Sequence, residues 1–399
     1  MATIKHALII GGGIAGPMTA QALHKAGIEA TIYEAYASSA EGIGGTLMIA
    51  PNGLDALRTI GLEDAVCAIG QPITRMVIAN SRGKALGEFT GMPGLPPSQL
   101  VWRTDLYRVL QQQALANGIP VEFGKRLVNV VETPSGVTAR FADGSSASGD
   151  VLIGADGIRS TVRRLIDPQA QGPQYTGILG FGGYAEGSGI SAPADAMHFV
   201  FGKNAFLGYW GESAGRTLWF GSLPYPEALS ASQARAIPAA DWLHVLRELY
   251  ADDFPARHFL QHTTDDQLFI AGAGEMLPTI PHWHRGRMVL VGDAVHAPSS
   301  SSGQGASLAA ESAIQLARSL RDLPDLSQAF SAYEKLRRAR VEKVAADAAR
   351  TNNRKASGPL KKNLMHLLMP IMMKVFFKPE KVFGALHNYR IDWSETVGS

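Results

Sequence analysis

A glycine-rich turn near the N-terminus constrains the fold more than any other feature of the sequence. Residues 7–10 form a short apolar run, and the turn that follows, Gly11–Gly16, has the spacing G-x-G-x-x-G. Residues 15–26 then have helical periodicity, and residues 30–33 form a second apolar run. A strand, a glycine turn, a helix and a strand in this order predict a βαβ unit of a doubly wound α/β domain.

This turn has the residue types that bind a dinucleotide. Gly11 permits the sharp turn, Gly13 lets the backbone approach a pyrophosphate, and Gly16 lets the helix pack closely on the strand. Free N–H groups at the helix start attract phosphate oxygens. Glu34 directly follows the second strand, about 20 residues after Gly13. A carboxylate at this position binds ribose hydroxyls and repels a 2′-phosphate. The predicted phosphate-binding residues are Gly11, Gly13, Ile14, Ala15 and Gly16.

Two later segments also place an acidic residue after a predicted strand. Asp293 follows Gly292 and the apolar run 289–291, and the residues from Gly303 to Ala306 then precede a helix. Asp156 follows the strand predicted over 151–153. A carboxylate at a strand end can bind a ligand hydroxyl, and a glycine turn before a helix offers N–H groups to electron-rich atoms. Each segment alone is also compatible with an ordinary capped helix start.

Composition and charge exclude several classes of protein. The chain has 399 residues, of which 46% are hydrophobic and 18% charged, so it is not a disordered chain. A net charge of +2 does not predict a nucleic-acid partner. A single cysteine, Cys67, excludes an internal disulfide framework, and His282 and His284 have no third metal ligand in reach along the sequence. We therefore expect no metal.

Neither the N-terminus nor the apolar segment 364–377 predicts a membrane protein. Three glycines at Gly11–Gly13 interrupt the first apolar run, which argues against a signal peptide. Segment 364–377 is shorter than a membrane span and contains Pro370 and Lys374. We expect a cytoplasmic protein, and we favour packing across two lobes over a membrane-surface role for Lys361–Phe383.

In combination, these motifs resemble those of the FAD-dependent aromatic hydroxylases, single-component flavoprotein monooxygenases related to p-hydroxybenzoate hydroxylase. The set comprises the first glycine turn with its acid, the central Gly154–Arg163 segment and the late Gly292–Gly305 segment. Residues 45–62 and the R-x-x-L-x-x-x-L pattern that begins at Arg103 are also similar to the family, so the resemblance covers almost the whole chain.

The resemblance implies non-covalent FAD, with NADPH or NADH as co-substrate. It implies hydroxylation of an aromatic or polyketide-like small molecule by O2 through a flavin C4a-hydroperoxide. Two alternatives stay open: an antibiotic-inactivating or other secondary-metabolism flavin monooxygenase, and a non-catalytic FAD-binding redox protein. The cofactor-binding residues that it implies are Gly11, Gly13, Ile14, Ala15, Gly16, Glu34, Gly45, Arg103, Val128, Asp156, Arg159, Gly292, Asp293, Gly303, Gln304, Gly305, Ala306 and Ser307.

The sequence departs from the family pattern at three places. The loop Ser38–Gly42 has no arginine, although one is common there in relatives. Ala35 and Tyr36 follow Glu34 where many relatives have a basic residue. Pro298 is followed by Ser299–Ser302, where relatives usually have a pair of prolines. These serines either alter water access and substrate binding beside the flavin or simply form a polar loop.

The predicted fold class is α/β, with a Rossmann-type FAD-binding domain, an inserted antiparallel-sheet substrate lobe and C-terminal helices. The predicted FAD-binding domain comprises residues 1–72, 99–172 and 284–345; the substrate lobe comprises 73–98 and 173–283; and 346–399 form a C-terminal helical segment. Aromatic runs between residues 175 and 223 predict the sheet of the substrate lobe.

The aromatic content of this lobe predicts a small-molecule aromatic substrate, and we expect a monomer or homodimer. The expected substrate contacts are Tyr184, Tyr209, Trp219 and Pro298. The candidates for a catalytic base are His198, Tyr209 and His296, and no spacing selects among them.

Overall fold

A computed structural model describes residues 4–38, 45–190, 192–212, 215–355 and 379–398, and it confirms the predicted α/β class. The strands are β1 (His6–Ile10), β2 (Glu29–Tyr33), β3 (Thr46–Ile49), β4 (Gln71–Ile73), β5 (Arg75–Asn80), β6 (Ala85–Thr90), β7 (Ser98–Trp102), β8 (Val121–Glu122), β9 (Leu127–Thr133), β10 (Gly136–Phe141), β11 (Ser146–Gly149), β12 (Val151–Gly154), β13 (Gln174–Tyr184), β14 (Ala196–Phe201), β15 (Phe206–Gly211), β16 (Thr217–Pro224), β17 (Leu268–Met276), β18 (His284–Arg285) and β19 (Met288–Leu290).

The helices alternate with these strands in the first half of the chain and dominate its C-terminal part. They are α1 (Ala15–Lys25), α2 (Pro51–Thr59), α3 (Glu63–Ile69), α4 (Arg103–Ala116), α5 (Thr161–Ile166), α6 (Ala231–Arg235), α7 (Ala239–Leu249), α8 (Ala256–His262), α9 (Gly305–Asp322), α10 (Leu326–Lys355) and α11 (Pro379–His387). None of the helices within the described ranges is both long and apolar enough to cross a membrane.

A six-stranded sheet forms the centre of the first domain, in the order β18-β19-β12-β1-β2-β8. Its strands are parallel except for the β18–β19 pair. The inner strands are short apolar runs because both faces of the sheet are buried, as is usual for parallel sheets; α1 and α5 contact its strands, and so do β10 and β11. A three-stranded antiparallel sheet, β11-β10-β9, packs beside it.

The second lobe contains a seven-stranded sheet, in the order β17-β13-β16-β15-β14-β5-β6. Residues 75–90 therefore share a sheet with residues 174–276. Residues 83–98 are rich in Gly and Pro, a composition typical of irregular segments. Instead, β6 forms an edge strand that is held mainly by backbone pairing with β5, and in which only Phe89 is buried. A small sheet, β3-β7-β4, lies between this lobe and the first domain.

The C-terminal helices pack on the first domain. Helix α9 is almost completely buried, and it contacts α1, α2 and α10. Helix α10 is continuous from Leu326 to Lys355, so the boundary predicted at residue 346 falls inside a helix. Most of the segment Lys361–Phe383 lies outside the described residues. After it, Leu386, Tyr389 and Trp393 pack against the core of the first domain.

Candidate functional site

The fold brings the predicted motifs to one edge of the six-stranded sheet. Ile10, the last residue of β1, pairs with Tyr33 on one side and with Gly154 on the other, and Gly154 pairs in turn with Leu290. The glycine turn, Glu34, Asp156 and Asp293 follow these four strand ends. Ligands of doubly wound sheets bind at the carboxyl ends of the strands. The cleft at this edge is therefore the candidate binding site.

The glycine turn packs against other backbone atoms at Gly11 and Gly16, and it is open at Gly13. Gly11 has a φ of 109°, and an ideal Cβ there would lie 2.5 Å from the carbonyl oxygen of Ala155. An ideal Cβ on Gly16 would lie 1.9 Å from the carbonyl oxygen of Gly11. At Gly13, by contrast, a Cβ would meet no atom within 4 Å. The turn thus packs tightly against the protein and leaves free space where Gly13 faces the cleft.

Glu34 holds its carboxylate beside this turn. Gly12 N donates to its Oε2 at 2.7 Å, and Tyr36 N donates to its Oε1 at 3.0 Å. Lys125 N donates to the Glu34 carbonyl oxygen at 2.8 Å, which brings the segment leading to β9 alongside. Val128 lies on β9 and is 52% exposed, so its surface is available to a ligand at this end of the cleft.

Asp293 follows β19 at the same edge of the sheet. Gly292, with a φ of 60°, brings the chain against α1, so that an ideal Cβ there would lie 2.6 Å from Ala15 Cβ. The Asp293 carboxylate lies next to Gly305, the first residue of α9. Burial raises the pKa of Asp293, and the opposing effect of Arg103 is smaller. The Gly292–Asp293 turn therefore lies close to the starts of both α1 and α9.

These two helix starts can attract a negatively charged ligand. Neither helix has an acidic residue in its first turn, and neither has a side chain that caps its first N–H groups. Such uncapped starts carry a partial positive charge and unsatisfied donors. Gly305 and Ala306 are only partly buried at the start of α9, whereas the Ser307 hydroxyl faces α2 and accepts from Ala50 N at 3.2 Å.

Helix α4 contributes a polar stripe, of which the sequence pattern predicted only Arg103. Arg103 is its first residue; its backbone N donates to the Gly45 carbonyl oxygen at 3.1 Å, and its side-chain Nε is buried without a hydrogen-bond partner. The Tyr107 ring lies 6.0 Å from the Arg103 guanidinium, and Gln111 donates to the Gly12 carbonyl oxygen at 3.3 Å. A spacing of four residues places all three on one helix face, and that spacing would have identified Tyr107 and Gln111.

The central motif contributes less to the cleft than the resemblance implies. The Asp156 carboxylate accepts from Ser160 Oγ and from the backbone N of Thr161 and Val162, so it caps α5. Arg159 is exposed and forms an ion pair with Glu275 at 2.7 Å. Asp156 touches the site only through its backbone, against which Gly11 packs.

The serines after Pro298 stabilise the backbone that leads into α9. Pro298 is half-buried, and Ser300–Ser302 form a 3₁₀ turn that ends at Gly303 with a φ of 60°. Ser302 Oγ accepts from Gln304 N at 3.1 Å, and Ser299 caps the turn by accepting from Ser301 N. Two of the four serines therefore act as local caps, as expected for a polar loop.

One face of the seven-stranded sheet is directed toward the small sheet and the first domain. It is here called the cleft face. Its partly buried aromatic residues are Tyr184, Phe199, Phe220 and Phe269. They pack around Leu100 and other residues of the small sheet. Trp102, which directly precedes Arg103, lies 6.0 Å from Phe269 in an edge-on ring contact. The aromatic wall thus continues to the polar stripe of α4.

Three predicted site residues lie on the opposite face, which α7 and α8 cover. Trp219 is buried there and donates from Nε1 to Thr263 Oγ1 at 2.9 Å. Tyr209 packs on Phe259 of α8, and His198 stacks on Tyr209 with ring centroids 4.4 Å apart. Alternation along the strands turns these side chains away from the cleft. This orientation does not support Tyr209 and Trp219 as substrate contacts, or His198 and Tyr209 as candidate bases.

His296, the third candidate base, is buried behind the cleft. Its Nε2 lies 2.8 Å from Ser312 Oγ, and its ring packs near Trp283. Burial, together with the nearby charge of Arg337, lowers the pKa of His296 to about 3. The imidazole is therefore neutral at physiological pH. Within the described residues, no cluster of three metal-ligating side chains occurs.

Comparison with known proteins identifies the family. The family model described as "FAD binding domain" matches residues 5–348. The FAD-dependent urate hydroxylase of Klebsiella pneumoniae is 31% identical over 348 residues, which are 86% of this chain and 88% of that enzyme. The chain belongs to the FAD-dependent aromatic hydroxylase family. Its members are flavoprotein monooxygenases, so the family resemblance seen in the sequence is confirmed.

Other members of this family are similar over most of the chain. The aurachin C monooxygenase/isomerase of Stigmatella aurantiaca is 30% identical over 351 residues, covering 86% of this chain and 88% of that protein. The solved structure of Klebsiella pneumoniae HpxO complexed with FAD and uric acid has a TM-score of 0.82 at 27% identity, and the match covers 96% of both chains. The tetracycline destructase Tet(51), at 20% identity, covers 95% of this chain and 100% of its own; its TM-score of 0.64 shows a shared fold alone.

Proposed function

We propose that this protein is a monooxygenase that uses NAD(P)H and O2 to hydroxylate a small aromatic or polyketide-like molecule at bound FAD. The observation that carries the proposal is one cleft with two complementary walls. The uncapped starts of α1 and α9 form the polar wall, together with the side chains of Arg103 and Asp293. The cleft face of the seven-stranded sheet forms the aromatic wall.

The residues of the polar wall fit FAD. The free space at Gly13 fits a pyrophosphate, and the buried Arg103 Nε has no protein partner, as expected for a group that binds a cofactor. Glu34 would bind the adenosine ribose, Asp293 a cofactor hydroxyl, and the backbone from Gly305 the flavin pyrimidine edge. When bound, FAD would supply hydride acceptance from NAD(P)H and the activation of O2.

The start of α9 would stabilise negative charge on the reduced cofactor. Its unsatisfied N–H groups and partial positive charge act without a charged side chain, and they need no reorganisation during the reaction. Neither histidine candidate faces the aromatic wall: His198 stacks on Tyr209 on the other face of the sheet, and His296 bonds Ser312. Tyr184 is the ionisable side chain that remains among the predicted contacts on the cleft face, and burial raises its pKa, so it would donate rather than accept a proton.

The aromatic wall would select the substrate. Flat rings stack favourably on aromatic side chains. A pocket that excludes water also protects reactive intermediates from side reactions. Relatives support a ring substrate, since the similar enzymes include urate hydroxylases and a 3-amino-4-hydroxybenzoate 2-monooxygenase. We therefore propose that the substrate is a planar ring compound that carries polar substituents.

Product analysis tests the proposal. The FAD-loaded protein would be mixed with NADH or NADPH under air, together with a panel that contains uric acid, 3-amino-4-hydroxybenzoate and tetracycline. We expect at least one compound to accelerate nucleotide oxidation and to incorporate one oxygen atom from ¹⁸O2. Nucleotide oxidation that yields only hydrogen peroxide with every compound would favour the redox-protein alternative.

A further inference from the structure

A fully buried arginine on α10 is connected to both ends of the loop formed by residues 294–304, which joins Asp293 to α9. Arg337 Nε donates to Ser312 Oγ at 3.1 Å. Its Nη1 lies 2.6 Å from Glu311 Oε2, off the hydrogen-bond axis, so this contact is ionic. The side chains of Arg337 and Glu311 have no exposed surface. Two chains of contacts extend from this pair.

The first chain reaches the beginning of the loop. The Ser312 hydroxyl that accepts from Arg337 also bonds His296 Nε2 at 2.8 Å. His296 is neutral because burial and Arg337 lower its pKa to about 3. Its ring can therefore share one hydrogen bond with a hydroxyl without adding a second buried cation. Arg337 thus holds His296 in place through Ser312.

The second chain reaches the end of the loop. Asn52 Nδ2 donates to Glu311 Oε1 at 2.7 Å and to Gln304 Oε1 at 3.0 Å. The two hydrogens of one amide group satisfy both acceptors. Gln304 immediately precedes α9. Asn52 links its side chain to the Glu311 carboxylate, which in turn contacts Arg337.

The network also carries a net positive charge beneath the start of α9. Arg340 donates from Nε and Nη2 to the two Glu311 oxygens, each at 2.8 Å. Two arginines and one glutamate leave one excess positive charge. Glu311 is six residues after Gly305, which is about 9 Å along a helix. In a low-dielectric interior, a charge at this distance contributes to the potential at the helix start.

We propose that Arg337 is a positioning residue, which fixes both ends of the 294–304 loop and thereby sets the start of α9 against the bound flavin. This inference rests on the proposed function, because it assigns the flavin edge to that helix start. Arg337 itself touches neither cofactor nor substrate. It acts through His296 at one end of the loop and through Gln304 at the other.

The test uses Arg337→Met in the full-length protein, with Arg318→Met as the matched control. Arg318 is also buried, but it donates to Gln315 Oε1 and to the Glu395 carbonyl oxygen, near the far end of α9. We expect R337M to bind FAD about tenfold more weakly, an effect as large as the loss of roughly one hydrogen bond between FAD and the displaced helix start. We also expect a more negative flavin midpoint potential. R318M should lose thermal stability but keep both values.

Equal FAD affinity and potential in R337M and R318M would overturn the inference. If R337M does not fold, Asn52→Leu decides instead, because it cuts one chain of contacts and leaves Arg337 in place. A wild-type potential in N52L would then refute the positioning role. Failure of the wild-type protein to bind FAD would instead refute the proposed function, so the two failures are distinguishable.

Discussion

Replacing Gly13 by alanine should stabilise the protein without FAD and yet weaken FAD binding. An ideal Cβ at Gly13 meets no atom within 4 Å, and its backbone lies outside the left-handed region. A Gly→Ala change at such a position stabilises a fold by about 0.4–1 kcal/mol, because the unfolded chain loses freedom. The same methyl group would occupy the space in which the backbone approaches the pyrophosphate.

The expected loss of affinity follows from the contacts that the methyl group prevents. A hydrogen bond from a backbone N–H to a charged phosphate contributes about 1.5–3 kcal/mol. Loss of one such bond raises the dissociation constant of FAD about 10- to 150-fold. Flavin fluorescence titration measures this change, and urea denaturation of the apoprotein measures the gain in stability.

Gly16→Ala is the matched control, since it adds the same methyl group three residues away. Its Cβ would lie 1.9 Å from the Gly11 carbonyl oxygen. Overpacking of this kind costs about 1–3 kcal/mol of stability. Wild-type FAD affinity in Gly13→Ala, or a loss of apoprotein stability as large as that of Gly16→Ala, would refute the assignment of the open side to the pyrophosphate.

Three further variants test burial and sheet orientation. Because burial raises the pKa of Asp293, Asp293→Asn should stabilise the apoprotein to urea at pH 7. This gain should shrink as the pH falls through the raised pKa and vanish only below the ordinary pKa of an aspartate. The pKa of His296 is lowered to about 3, so stability should fall as the pH drops from about 6.5, by up to ~1.4 kcal/mol per pH unit, and His296→Gln should reduce that slope. Trp219→Phe leaves Thr263 without its donor and should lower the free energy of unfolding by about 1–3 kcal/mol. It should not change which aromatic compounds stimulate NAD(P)H oxidation, whereas Phe220→Ala, on the cleft face, should change them.

The architecture of the first domain was predictable because each motif is local. A glycine turn after a buried strand predicts a phosphate cradle, and parallel strands bring their ends to one edge. The sequence therefore predicted that Gly13, Glu34 and Asp293 follow strand ends, and the register of the sheet brings them together. Their contacts with FAD stay predictions.

The orientation of the second sheet was not predictable from the strands alone. Trp219 and Phe220 are adjacent aromatic residues, and a period of two predicts only that they face opposite sides. Which of the two faces is directed toward the first domain depends on where α7 and α8 pack. The contacts between these helices and the sheet join residues that are far apart in sequence. The same limit applies to His296, whose burial depends on Ser312 and Arg337.

Asp156 shows a different limit. A strand-end aspartate before a helix can bind a ligand or cap that helix, and the two roles have the same sequence pattern. In the structure the carboxylate accepts from Thr161 N and Val162 N, so capping accounts for it. Only the direction of the side chain, which is set by the local turn, separates the two roles.

Anaerobic reduction of the bound cofactor tests the central claim most directly. The FAD-loaded protein would be mixed with NADH, and separately with NADPH, without oxygen and with each compound of the aromatic panel in turn. We predict that the visible absorption band of the oxidised flavin bleaches with at least one nucleotide, and that one panel compound accelerates the bleaching. A flavin that stays oxidised with both nucleotides and every compound would contradict a self-contained NAD(P)H-dependent monooxygenase.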